Sequence, residues 1–571
     1  MTKWLRVLVC AVVLLVGAGC ATLPTSGPVV AQPRPADMGG TGGVTIQPNP
    51  PPMGASASMI IRGFLTAMSS LDYATAREYL TRQAAQDWKP DSQVLIYASG
   101  ATPRVTGNLV NMSAPLIGYL DADGSFHGSE ETMWNHDFAM MVENGELRIS
   151  SPPPGLALSQ YVFSQTFMRI DTYFFPTSGT TLIPDPRYVQ RGAWDRTTAA
   201  RLVVDGPSTW LDPVADDQPQ RGVAWGGEDV SLSAQGVADV PLSCPGGDPG
   251  VADATRLAVE VAATMRDMAG VSRVRLLCDT RLVILQGAAA DGSLPIGVAN
   301  TYDTIPIGSG KTLAVVQDGS VATMTGNDVT PVLGDWGATA RTIHSLAMNS
   351  DGDQIAAVTD DGVLVGPITQ DPPTTRLAAP GLLRPQFDLH DNVWVVSSDQ
   401  GQVTVSMLSP DAVVSVDASQ IEATDIQGFQ VSPDGHRIAL VRQVDAPDGP
   451  RTEVGVALIT YDGDVPAAIT AWKPIRLTWE GNLLKPVDVA WLGPSSLLVL
   501  GTTGVFLTDI DGLEMDEWGL PQAWTPVEMT TRTTSTSPQI VVLDDNGSVW
   551  SYQDGYWNHF GSRITSIAYP A

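Results

Sequence analysis

A five-residue apolar strand recurs through the C-terminal half of the chain, as TLAVV (312–316), QIAAV (354–358), VWVVS (393–397), RIALV (437–441), LLVLG (497–501) and QIVVL (539–543), with starts 42, 39, 44, 60 and 42 residues apart. A period of about 40–50 residues with several strands per repeat signifies propeller blades, because one small sheet buries its faces only by stacking on its copies. From the second repeat onward another strand and a turn come first: HSLAMNSDG, PQFDLHDN, GFQVSPDG, VDVAWLGPSS and a weaker VEMTTRTTSTS. A polar turn and a third strand follow, as in DDGVLV (360–365) and NGSVW (546–550); Asp-Gly and Asn-Gly suit such hairpins because both residues accept positive φ. The first repeat lacks its leading strand, and 563–569 is left over at the end of the chain. The terminal strand is therefore expected to join the first blade, closing a ring without a free sheet edge. An all-β propeller over 295–571, six-bladed, is the expectation.

Composition agrees with short strands and turns. Of 571 residues, 55 are Gly, 43 Pro and only 4 Cys, which excludes a disulfide-built mini-scaffold. Apolar residues make up 43%, enough for real cores. The formal charge is −29, which excludes nucleic acid as a partner, since that affinity comes from basic side chains neutralising phosphates.

The N-terminus sets the compartment. Lys3 and Arg6 precede an apolar run, 7–16, that is too short to span a bilayer and has the layout of a secretory signal peptide. Gly17-Ala18-Gly19-Cys20 resembles the bacterial lipobox, with Gly17 standing where that pattern usually has Leu. The resemblance implies a lipoprotein signal peptide over 1–19, cleavage between Gly19 and Cys20, and a lipid on the Cys20 thiol. Lipid rather than charge must then hold so acidic a chain to an anionic membrane. Residues 20–54, rich in Pro and Gly without apolar periodicity, read as a tether.

Two small α+β domains are expected between tether and propeller. In 55–160, Ile60, Phe64, Met68 and Leu71 share one helical face, and Asp72 reads as the N-cap of a second short helix. Strands follow near 104–110, 113–120, 134–142 and 146–149, the last two joined by Asn144-Gly145. The opening RGFLTAMSSLDYATAREYLT resembles nuclear-transport-factor-2-like domains. In 165–290, a strand at 169–175 leads to LIPDPRYVQ and a helix over 193–205 that Gly206-Pro207 stops. A second helix over 252–268 and strands at 272–277 and 281–286 complete the unit. YFFPTSGTTLIPDPRYV with LVVDGPSTWL resembles the GerMN domain.

Chemical motifs are few. Gly308-Ser309-Gly310-Lys311-Thr312 imitates the end of a phosphate-binding loop, but Ile305 stands where the leading glycine belongs and a strand follows instead of a helix. His127 and His136 have no ligand-spaced partners, and His344, His390 and His436 read as turn residues that could at most ring a propeller channel. No metal, cofactor or catalytic residue is expected, and the protein is read as a non-enzyme. Cys244 and Cys278 are the folded region's only thiols; outside the membrane a disulfide between them is permitted, with two buried free thiols as the alternative.

A lipobox, a tether, a nuclear-transport-factor-2-like start, a GerMN-like unit and a propeller, in this order, resemble the LpqB family of actinobacterial lipoproteins. The resemblance implies a lipid-anchored protein on the extracytoplasmic face of the cell membrane. There it would associate with the extracellular domain of the MtrB sensor histidine kinase and modulate phosphorylation of the MtrA regulator, with effects on cell division and envelope homeostasis. An envelope assembly or lipid-handling factor, or an enzyme acting on polysaccharide, is the alternative, since fold alone does not choose between them.

Overall fold

The computed structural model describes residues 48–570 apart from 107–108, 130–131, 221, 304–311, 339–341, 370–371, 448, 477, 480–481, 521–524, 533–538 and 554. Gly19, Cys20 and the sequence 308–311 lie outside the described residues.

The first helix, Ala57–Ser69, buries Ile60, Ile61, Phe64, Ala67 and Met68. Leu71, expected on that face, lies beyond the helix at φ 56° and is only partly buried. Asp72 caps Tyr73–Glu78, its carboxylate accepting the Thr75 N–H at 3.0 Å. A third helix, Arg82–Asp87, was not anticipated because Ala84 is its one buried residue and leaves no apolar period. These helices pack on a sheet ordered Glu146–Ile149, Met133–Glu143, Leu109–Leu120, Val94–Tyr97 and Leu156–Ser159. Asn144 (φ 53°) and Gly145 (φ 83°) make the expected tight hairpin.

Next comes a hairpin, Phe167–Phe174 with Ile183–Gln190, and then a helix, Arg196–Asp205, capped by Asp195 and ended by Gly206 at φ 98°. The helix Val251–Thr264 connects the parallel strands Val237–Ser243 and Arg273–Cys278. It stops four residues short of Met268, with Met265 as its C-cap. The strand expected over 281–286 is only Arg281–Leu282, because Leu294–Pro295 occupies the other end of the same edge, opposite Val274 and Arg273.

The remainder forms six four-stranded antiparallel sheets among the described residues. Their innermost strands are Ile564–Ala568, Ile343–Met348, Gln386–Phe387, Asp425–Val431, Pro486–Gly493 and Pro526–Arg532, and each touches the next until the last returns to the first. The 60-residue step in the repeat comes from the fourth sheet, whose strands Arg437–Ala446, Gly449–Asp462 and Val465–Ile475 are unusually long. Ile564–Ala568 pairs with Leu313–Gln317, so the last strand of the chain completes the sheet of the first repeat.

That pairing makes the C-terminus structural. Deleting 563–571 removes the buried Ile564 and Ile567 and the half-buried Tyr569, which at about 1.5–3 kcal/mol per side chain costs on the order of 4–9 kcal/mol. Thermal melts of the chain with and without these residues should show a large loss of stability; an unchanged melting temperature would contradict the closure.

Candidate functional site

Near the axis of the ring, polar side chains from several inner strands meet. Five inner strands slip register by one residue, at His344, Gln427, Val487, Val527 and Thr565. Such bulges turn the next side chain off the ladder, and the next residues are Ser345, Gly428, Asp488, Glu528 and Ser566. The third sheet contributes Arg384, two residues before Gln386. Its guanidinium donates to Asp488 Oδ2 at 3.1 Å, to Glu528 Oε1 at 3.0 Å and to the Met529 carbonyl at 2.9 Å. Asp488 also accepts the Met529 and Val489 N–H groups, and Glu528 accepts from Ser566 Oγ and the Ile567 N–H, all at 2.9 Å. Ser566 Oγ takes the Leu346 N–H at 3.2 Å. Gly428 makes room: a Cβ there would lie 2.7 Å from Asp488 Oδ1. Burial raises both carboxyls above their ordinary range while Arg384 opposes the rise. Burial also works against the Arg384 charge, but its two carboxylates outweigh that and hold it firmly protonated.

Sequence reading missed this network. Its one trace is the repeated Pro486-Val487-Asp488 and Pro526-Val527-Glu528, an acid at the same point of neighbouring repeats. Arg384→Met would leave two buried carboxylates without their counter-charge, a loss on the order of 3–5 kcal/mol. The expected outcome in chemical denaturation is a markedly lower midpoint, whereas a midpoint within error of wild type would mean the ring does not depend on the pair.

A second polar cluster joins the units. On one face of the 167–190 hairpin, Arg169 meets Asp171 (3.0 Å), Asp511 (3.5 Å) and Asp509 (3.7 Å), the last two from the propeller. Tyr188 donates its hydroxyl to Asp511 at 3.0 Å, and Ser495 donates to Asp171 at 2.7 Å. On the other face, buried Arg187 pairs with Asp185 at 2.8 Å and donates to the Asp123 carbonyl of the first unit at 2.9 Å. Burial, reinforced by Asp511 and Asp171 and opposed by Arg169, pushes Asp509 up to about 6. Apolar contacts cross the same junction: Leu513 of the propeller enters the core of the first unit, and Leu458 that of the second. The sequence signal was charge at alternate positions, Arg169/Asp171 and Asp185/Arg187, in otherwise apolar strands.

Among the residues singled out from sequence, Cys244 and Cys278 are bridged, with Cα atoms 5.7 Å apart at the ends of neighbouring parallel strands. The histidines stay with local partners: His127 on Asp121 (2.8 Å), His136 on the Ser151 carbonyl (3.1 Å) and His344 on Asp360 (2.7 Å). Buried His436 is held by the Asp434 carbonyl at 2.8 Å, and the His390 N–H donates to Asp388 at 2.8 Å. Among the described residues no group of three or more His, Cys, Asp or Glu is placed to hold a metal ion. Nor is any helix among them long and apolar enough to cross a membrane.

Among the described residues, Glu260 is one of the buried acids held by hydrogen bonds rather than by an ion pair. Glu260, inside the helix Val251–Thr264, accepts the Phe175 N–H at 2.9 Å and Gln220 Nε2 at 2.6 Å. Burial raises its pKa to about 8, against the downward pull of those hydrogen bonds and of Arg256. The folded state therefore binds a proton more tightly than the unfolded state, and stability falls as pH rises from about 4.5 towards 8. Glu260→Gln should flatten that fall in melts between pH 5 and 8; an identical slope in both proteins would refute the assignment.

Two α+β units docked on a closed ring of sheets define a multi-domain propeller protein. A model described as lipoprotein LpqB, N-terminal domain, matches residues 50–164, and one described as the lipoprotein LpqB beta-propeller domain matches 319–570. The chain belongs to the LpqB lipoprotein family. Lipoprotein LpqB of Cutibacterium acnes is 29% identical over 99% of this chain and 98% of its own length. That of Rhodococcus jostii is 26% identical over 85% of this chain and 84% of its own, and that of Streptomyces avermitilis 24% over 89% and 88%.

Proposed function

We propose that the protein is a lipid-anchored binding protein of the extracytoplasmic membrane face, tethered through Cys20, and that it engages the extracellular domain of an MtrB-like sensor histidine kinase and modulates MtrA phosphorylation. The observation that carries this reading is the bridged axis: Arg384 is committed to Asp488 and Glu528 across the ring, which turns attention to the outer surface of the docked units. Membership of a lipoprotein family supports the anchor. Confinement by lipid raises the effective concentration against a membrane partner, so a modest affinity suffices and activity depends on anchoring.

Two measurements test it. Cys20→Ala should move the protein from the membrane to the soluble fraction and, in cells, alter regulator phosphorylation. Titration of the unlipidated protein against the kinase's extracellular domain should give saturable, moderate binding. Absence of binding up to high micromolar, together with normal phosphorylation in the Cys20→Ala strain, would remove the signalling role and leave the assembly-factor reading.

A further inference from the structure

The junction between the 167–190 hairpin and the propeller holds more negative than positive charge. Asp171, Asp509 and Asp511 gather round one guanidinium, that of Arg169, at 3.0, 3.7 and 3.5 Å. Lys473, seated on the Trp210 ring at 5.1 Å, supplies a second cation, and Asp185 and Asp121 draw on it as well as Asp511. Glu514, exposed at the rim, adds a further negative charge that bears on Asp509. Even without Glu514, three carboxylates against two cations leave one negative charge uncompensated in a largely buried place. A proton is the smallest species that cancels it.

Hydrogen bonds decide which carboxylate takes it. Asp511 accepts the Tyr188 hydroxyl and the Leu513 N–H, both at 3.0 Å, and Asp171 accepts the Ser495 hydroxyl at 2.7 Å. Donors so close support the charged form of both acids. Asp509 is the least supported: the Ser496 hydroxyl lies at 3.4 Å, and Arg169 approaches it least closely, through an Nε that makes no hydrogen bond among the described residues. Asp509 is also the acid that burial and its acidic neighbours raise to about 6. With the hairpin gone it would face water, and its carboxyl would return towards the ordinary 3.8. The docked state therefore holds the proton more tightly than the undocked one.

We propose that docking of the second unit on the propeller takes up one proton at Asp509, so that this carboxyl tightens the junction in acid and slackens it towards neutral pH. The contribution is complete below the undocked value and is lost as pH rises through the docked one. His436 works the other way at the same interface. Its ring faces Gly179 of the second unit, where an added Cβ would lie 3.9 Å from Cε1, and Tyr461, with Asp434 and Arg437 beside it. Burial holds His436 below its ordinary range against the pull of Asp434, so charging it in acid opposes docking. Substitution at Asp509 separates the two effects.

The test is hydrogen–deuterium exchange of the full-length protein, with labelling times scaled to the intrinsic exchange rate at each pH. In Asp509→Asn the amide stands in for the protonated acid, so the hairpin and 509–513 should stay protected without the proton. The ratio of wild-type to variant protection there should fall about tenfold between about pH 5 and 7, as one proton leaves a group titrating near 6. Asp171→Asn keeps an acceptor for Ser495 and removes one crowding charge, so it should give a smaller fall of the same sign. It carries the test should Asp509→Asn fail to fold. His436 and Glu260 titrate in all three proteins and cancel from the ratio, which should not change with pH in the helix Val251–Thr264. A junction ratio that stays constant or rises with pH in both variants overturns the proposal. An equal fall in that helix also overturns it, because the proton would then belong to the whole unit rather than to the junction.

Discussion

Arg384 at the axis of the ring is the contact on which the propeller depends. One guanidinium reaches two other sheets at once, and the carboxylates it meets accept N–H groups from their own or neighbouring inner strands. Burying three charges is costly, and the arrangement persists because hydrogen bonds from backbone and hydroxyl groups accompany the ion pairs. The ring therefore carries two kinds of closure. Ile564–Ala568 closes the periphery by strand pairing, and Arg384 closes the centre by charge.

The same logic recurs where the units meet. The 167–190 hairpin presents Arg169 and Tyr188 to the propeller and Arg187 to the first unit, so one pair of strands touches both neighbours. Leu513 and Leu458, carried into foreign cores, add an apolar term that the charged contacts alone would lack. A protein built this way offers its surfaces in a fixed relation to one another.

Much was legible from sequence because it depends on local pattern. The apolar strands of the repeat, the Asn144-Gly145 hairpin, the Asp72 cap and the Gly206 stop each follow from spacing and backbone preference within a few residues. The disulfide was legible only as an option: composition left two thiols, and parallel pairing of the strands Val237–Ser243 and Arg273–Cys278 brings them together. The helix Arg82–Asp87 escaped because it buries only Ala84 and so shows no apolar period, and the strand from 281 was cut short by a competitor for the same edge.

By itself, then, the sequence determined the class: a strongly acidic chain with two α+β units and a repeating all-β region, since period, composition and turn chemistry are properties of neighbours along the chain. The tertiary structure alone decided where the charges meet. Arg384 and Glu528 are 144 residues apart, and Arg169 and Ser495 are 326 apart. No spacing rule links such positions, because register shifts in separate sheets and the docking of separate units set their distance. For the same reason the axial network and the junction became visible only once the chain was folded.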